Sequence, residues 1–285
     1  MGDLVTPFFT PARNRRTFRD AAISYAQHGG EDKYLGRIVD HLGTWWLDEI
    51  APFDLREMAI ALYDRQSNST RNRCALAPAR AVMSHAYDRG WAPLMRIRAF
   101  KVDKPRRKVP ASPVWMFAFL RQCQIDNLPH LAAMALFMHQ TGARVSEAIR
   151  LDWPEVDLAK REVLLLRTKT GTFSKRGLTD ELVARMSALP RKPDRPVFNY
   201  RCRFSVLERI RKVCERAEIS YKSAHLLGRH SFATNAIAGG MSIPDAMEAG
   251  GWKSVEIFCG IYVHSVDAVR TVADHFSKVR YDAQL

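Results

Sequence analysis

No stretch of this 285-residue sequence holds eighteen consecutive apolar residues, so no segment has the length of a membrane-spanning helix. The first thirty residues alternate polar and apolar and lack the apolar core of a signal peptide. Cysteine is sparse: there are five, an odd number, and no Cys-x-x-Cys pair occurs. Neither a disulfide framework nor a zinc site is supported, and the thiols are expected as small buried hydrophobes in a reducing compartment. No internal repeat or low-complexity tract stands out. Acidic residues are the other shortage. Against 44 Lys+Arg stand 30 Asp+Glu, a net charge of +14. That balance predicts affinity for a polyanion, with nucleic acid the leading candidate. A basic enzyme with a solvated surface is the alternative, and charge alone leaves the two level.

Strand signals are nearly absent before residue 95. Phe18, Ala21, Ala22 and Tyr25 recur at helical spacing, as do Tyr34, Leu35, Ile38 and Leu42. A third helix is expected over 54–66 with Asp54 as its N-cap. A fourth, after Ser67-Asn68-Ser69-Thr70, carries Arg71, Arg73 and Arg80, and Pro78 should kink or split it. Residues 1–95 therefore read as an all-α domain whose three arginines suit phosphate contact, with an ordinary solvated face as the rival reading. Residues 96–111 lose periodicity and gather Arg98, Lys101, Arg106 and Arg107 among prolines, which reads as a basic linker lying along a nucleic-acid backbone. The second domain, 112–285, is expected to be helical with a small β-sheet. Helices are placed near 113–124, 130–141, 179–188, 205–217 (Ser205 and Glu208 forming a capping box), 225–238 and 243–249. Another, capped by Ser254, carries Tyr262, and a last one spans about 266–279. A hairpin pairs 156–158 with 162–166, and a strand or turn follows through 167–171. The fold class is α+β, mainly α.

The chemistry concentrates in the second domain. If the substrate is a phosphodiester, displacement at phosphorus piles charge on the non-bridging oxygens, and arginine is the side chain best suited to hold it. Arg144 and Arg229 are the candidates. Tyr262 has the character of a nucleophile, giving a phosphotyrosyl intermediate that conserves bond energy. Lys169 is placed to protonate a leaving alkoxide. His225 has two open roles, accepting the tyrosine proton or bonding the phosphate. Trp252 offers an indole N–H and a packing surface, and Glu147 is placed to hold an arginine. Taken singly, each has a plainer reading: Arg144 a solvated cation, Lys169 an exposed turn residue, Tyr262 a core or surface ring, His230 and His264 structural. Their order and spacing favour the catalytic reading.

The ordered set Thr-Gly-Ala-Arg-Val-Ser-Glu (141–147), Arg-Thr-Lys-Thr (167–170), His-Leu-Leu-Gly-Arg-His-Ser-Phe-Ala-Thr (225–234), Gly-Gly-Trp (250–252) and Ile-Tyr-Val-His (261–264) resembles the tyrosine recombinases, or phage integrases. The helical first domain looks like that family's core-binding domain. The resemblance implies a C-shaped clamp on duplex DNA and site-specific strand exchange, as in integration. By that similarity Arg144 and Arg229 hold the scissile phosphate, Lys169 is the general acid toward the 5′-oxygen and His225 assists proton transfer. Trp252 fills the position of a second histidine, Tyr262 becomes linked to the 3′-phosphate, and Glu147 supports the arginines. No metal or nucleotide cofactor is implied. The last helix resembles a segment exchanged between protomers, so a homotetramer on two DNA sites is expected, with accessory DNA-bending proteins as further partners and a cytoplasmic, nucleoid-associated location. The short lead before Thr17 is expected to leave no room for the arm-binding domain that some integrases carry. A type IB topoisomerase and a DNA-binding protein with a decayed site are the rival readings. Two departures bear on the site. Gly228 makes the usual His-x-x-Arg into His225-x-x-x-Arg229, and Trp252 to Tyr262 is one residue long. On an α-helix one residue turns a side chain by about 100°.

Overall fold

The structure, a computed structural model, describes residues 15–103, 108–166, 173–192, 194–263, 272–273 and 276–277. The chain divides into two units, Met1–Arg106 and Arg107–Leu285. Among the described residues no helix is long and apolar enough to cross a membrane.

The first unit is helical. Thr17 opens α1 (Phe18–Gln27) with a reciprocal cap: its hydroxyl accepts from the Asp20 amide, and the Asp20 carboxylate accepts from the Thr17 amide. After α2 (Leu35–Leu42) comes α3 (Pro52–Leu62), which starts earlier than the sequence suggested. Pro52 takes the first position, where its fixed φ suits the helix and its missing N–H costs nothing. Asp54 is not the cap; it sits one turn in, and its carboxylate accepts from the Ala51 amide at 2.8 Å. The fourth helix is split, as Pro78 requires, into α4 (Asn68–Arg71), a π-turn (Asn72–Leu76) and α5 (Ala77–Asp88). The Cys74 carbonyl, four residues before Pro78 and so deprived of a helical donor, accepts from the Tyr63 hydroxyl at 3.5 Å. Phe18, Ile38, Leu42, Leu55, Met58 and Leu76 form the core.

Part of the expected linker is fastened to this unit. Ile97 is buried in its core. The Asn72 amide pairs with both backbone groups of Phe100, at 2.8 and 2.9 Å. Arg80 donates to the Ile97 carbonyl and Arg56 to that of Arg98, each at 2.7 Å, and Asn68 donates to that of Lys101 at 2.8 Å.

In the second unit, α6 (Pro113–Ile125) and α7 (Pro129–Thr141) lead to the short α8 (Val145–Ala148). Helix α7 is apolar nearly all round and is buried along most of its length, so it forms the centre of the core. An antiparallel sheet of order β1-β2-β3 joins β1 (Val156–Asp157), β2 (Glu162–Leu165) and β3 (Ser174–Gly177). The expected hairpin is present, with Val156 opposite Val163, and β3 is a strand the sequence reading did not place. Residues 167–171, expected as strand or turn, lie outside the described residues. Then follow α9 (Asp180–Ser187) and α10 (Arg203–Arg216). Ser205 is not an N-cap: the helix is already under way, and the Ser205 hydroxyl donates back to the Cys202 carbonyl at 2.7 Å. A π-turn (Leu226–His230), α11 (Ser231–Ala238), α12 (Ile243–Gly250) and α13 (Val255–Tyr262, capped by Ser254) complete the order. Most of the expected last helix, 266–279, lies outside the described residues. A second, smaller core of Phe232, Met247, Phe258 and Tyr262 sits among α11, α12 and α13.

Candidate active site

Helix α7 ends at Gly142 in the left-handed conformation, φ +67. A Cβ there would come within 2.9 Å of the Phe232 ring, so the turn requires glycine twice over. It delivers Arg144 to the start of α8. Arg144 donates through Nη1 to Glu147 Oε1 at 2.6 Å, while Glu147 Oε2 accepts from the Arg144 amide at 2.8 Å. The carboxylate is almost fully buried and the arginine side chain is 32% exposed, so Glu147 fixes both ends of a residue whose other N–H groups stay available.

The extra residue between His225 and Arg229 is absorbed inside the helix. Hydrogen bonds in the π-turn reach back five residues instead of four, and the widened turn holds one more residue. His225 and Arg229 thereby remain about one turn apart. Two side chains serve the carbonyls of this turn: Ser231 Oγ donates to Leu226 O at 2.6 Å, and His139 Nδ1 donates to Leu227 O at 2.8 Å. Gly228 lies so close to α7 that a Cβ would sit 2.7 Å from Met138 Cβ.

Arg229 is buried, and three of its five N–H donors are committed. Nη1 donates to Gly142 O at 2.9 Å and Gly250 O at 2.6 Å, and Nη2 to Gly251 O at 3.2 Å. The remaining two have no partner among the described residues. Its guanidinium lies 3.5 Å from the centre of the Trp252 ring. Burial foremost, then the charge of Arg144, brings its pKa down to about 9, while Glu147 and Tyr262 oppose the shift. It remains charged at neutral pH. A buried cation pressed in this way gains from any phosphate brought against it.

Trp252 follows two glycines that make room for it. A Cβ on Gly250 would lie 1.8 Å from the indole, and Gly251 has φ +65. The indole stacks on Phe232 and meets Tyr262 edge-on at 5.4 Å between centroids. The longer Trp252–Tyr262 spacing therefore still brings the two rings together. Tyr262, the last residue of α13, is 5% exposed and also packs on His230 and Phe258. His225 presents an exposed edge to solvent but has protein on most sides. That partial burial, then the charges of His230, Lys108, Arg229 and Arg144, hold its pKa below 6.5, so the imidazole is neutral at pH 7.

The structure thus brings Arg144, Glu147, His225, Arg229, Trp252 and Tyr262 into one neighbourhood. Lys169 and His264 lie outside the described residues, as do Arg106 and Arg107. Of the basic residues assigned to DNA, Arg73, Arg98 and Lys101 are exposed. Arg80 is also exposed but spends a donor on Ile97 O. Arg71 is turned inward: it donates to Tyr63 O, Asn68 Oδ1 and Asp64 O at 3.0, 3.0 and 2.5 Å, fastening the end of α3 to α4.

Sequence reasoning missed Arg176. It lies on β3, is 2% exposed, and donates to Ala249 O at 2.6 Å and Gly250 O at 3.0 Å. With Arg144, Glu147, Ser174, Gly251 and Trp252 it lines a cavity of about 160 Å³. Once β3 is known to be a strand, period-two spacing points to it: Arg176 shares a strand face with the buried Leu178, while Lys175 and Gly177 face out.

A profile of the phage integrase family matches residues 118–268, more than half of the chain. The chain belongs to the phage integrase family. It is 30% identical to the tyrosine recombinase XerD of Mycobacterium tuberculosis over 87% of this chain and 90% of that one. In fold it is similar to the Tn1549 transposon integrase in complex with a circular intermediate DNA, at 17% identity, TM-score 0.71 and coverage of 92% and 99%. It is also similar to a lambda integrase dimer bound to a COC′ core site, at 15% identity, TM-score 0.67 and coverage of 88% and 78%. As a member of the tyrosine recombinases it is an enzyme of site-specific recombination that cleaves and rejoins DNA.

Proposed function

We propose that this integrase-family enzyme binds duplex DNA and exchanges strands through a phosphotyrosyl intermediate on Tyr262. The observation that carries the reading is the convergence on one spot of Arg229, with two unspent N–H donors, Arg144 on its carboxylate anchor, and the Trp252–Tyr262 ring pair. Arg144 and Arg229 bind the non-bridging oxygens of the scissile phosphate. Tyr262 Oη attacks phosphorus and gives its proton to neutral His225. The bond from phosphorus to the 5′-oxygen breaks, and Lys169 supplies the proton that oxygen needs. The chain is left esterified to the 3′-phosphate. An incoming 5′-hydroxyl reverses the steps, so no external energy source is consumed. The domain arrangement is a helical DNA-binding region over 1–95, a basic segment over 96–111 and a catalytic region over 112–285. Arg73, Arg80, Arg98, Lys101, Arg106 and Arg107 supply phosphate contacts, and four copies act on two DNA sites.

The test uses a duplex selected for binding by the wild-type protein from a randomised pool and nicked so that the cleaved end diffuses away. The wild type is expected to give a denaturant-resistant adduct. Tyr262→Phe should give none while binding the duplex equally well and melting at an unchanged temperature. Binding without any adduct from the wild type contradicts the reading.

A further inference from the structure

Two buried guanidinium groups share the carbonyl end of α12. Arg229 donates to Gly250 O and Gly251 O, and Arg176 to Ala249 O and Gly250 O. The end of a helix is its negative pole, so cations there are favoured. Two cations packed together are not. Burial first, opposed by Glu147 and reinforced by Arg144, brings the Arg176 pKa down to about 10. Arg176 also counts among the groups that depress Arg229. Its Nε is buried without a hydrogen-bond partner, a cost a protein seldom carries without a use for the residue. Gly251 is fitted to it: a Cβ at that position would lie 2.6 Å from Arg176 Nη2.

We propose that Arg176 is a positioning residue of the strand-cleavage centre, holding the Ala249–Gly251 backbone so that Arg229 and Trp252 meet the scissile phosphate in one fixed geometry. This rests on the reading of Arg229 as a phosphate ligand. Arg176 is suited to the task because its planar fork spans two successive carbonyls, which lysine can meet at only one point. Through the shared Gly250 carbonyl it sets how far Arg229 is drawn back. Through the Gly251 turn it sets where the indole lies. It also keeps the arginine cluster electron-poor, so that a phosphate relieves charge repulsion as it enters.

The experiment measures single-turnover cleavage of the selected nicked duplex at saturating protein for wild type, Arg176→Lys and Arg176→Met. It is repeated on the same duplex with a methylphosphonate at the mapped scissile position. Arg176→Met is expected to cleave on the order of 100-fold more slowly, as when one oxyanion donor is lost, with DNA affinity unchanged and Arg176→Lys in between. On the methylphosphonate, which carries less charge to stabilise, the gap between wild type and variant should narrow severalfold. A general loss of fold would not do this, because it would depress both substrates alike. Equal cleavage by all three proteins overturns the proposal. So does a deficit that is the same on both substrates, or one confined to Arg176→Met together with lost DNA binding. If the wild type binds the duplex but forms no adduct, the phosphotyrosyl reading itself has failed; an adduct from the wild type with indifferent Arg176 variants sinks this inference alone.

Discussion

Partly desolvated histidines make the folded chain sensitive to mild acid. His85, His130, His139 and His225 are all held below 6.5, burial being the first cause in each. Unfolded, they take up protons near 6.5; folded, only at lower pH. Below 6.5 the unfolded state therefore binds more protons, and stability falls as pH drops through that value until the folded pKa values are passed. Above it these residues contribute no pH dependence. Melting midpoints should be level from pH 7 to 8 and fall between pH 6.5 and 5.5. In His139→Asn, which keeps a donor for the Leu227 carbonyl and has no proton to gain, the fall should be smaller. An identical fall would remove His139 from the account. Arg144, Arg229 and Tyr262 were legible at this scale because each sits inside a patterned segment. Arg176 was not, because an arginine beside a lysine on a short strand reads as solvated charge until the strand's inward face is known.

At the scale of the element, the π-turn over Leu226–His230 decides whether the second half of the site is assembled. Read as an α-helix, the sequence put His225 and Arg229 about 100° out of register. Nothing in one sequence marks a widened turn. What marks it in the structure is its supports: Ser231 and His139 on the carbonyls, and Gly228 flush against Met138. Gly228→Ala should push this turn away from α7, costing about 1–3 kcal/mol for overpacking. It should also reduce adduct yield more than the stability loss explains, since His225 and Arg229 ride on the displaced segment. Thermal melts beside single-turnover cleavage check this; full activity in a destabilised variant would show that the turn tolerates displacement. The first helices were legible from apolar periodicity, at Phe18–Tyr25 and Tyr34–Leu42, and α7 from an apolar run that Gly142 ends. The errors at Asp54 and Ser205 share one cause: a polar side chain near a helix start reads as a cap, while Pro52 and Arg203 had already begun the helix.

The whole molecule carries a net charge of +14, and its arginines divide by use. Arg71 is spent on intramolecular carbonyls, whereas Arg73, Arg98 and Lys101 remain exposed. The segment after residue 95 looked like free linker because its cations hid the spacing of Ile97 and Phe100, which fasten its start to the first unit. If six to ten phosphates are neutralised, affinity for duplex DNA should fall by about 10³–10⁵-fold between 50 and 200 mM salt. A flat profile would contradict a phosphate-led interface. The central claim is that one tyrosine carries the broken strand, and it is tested most directly by digesting the trapped adduct and weighing the nucleotide-bearing peptide. The expected result is a peptide containing Tyr262, esterified to a 3′-phosphate, with a free 5′-hydroxyl on the released strand. A nucleotide on any other residue, or a 5′-phosphate link, would contradict it.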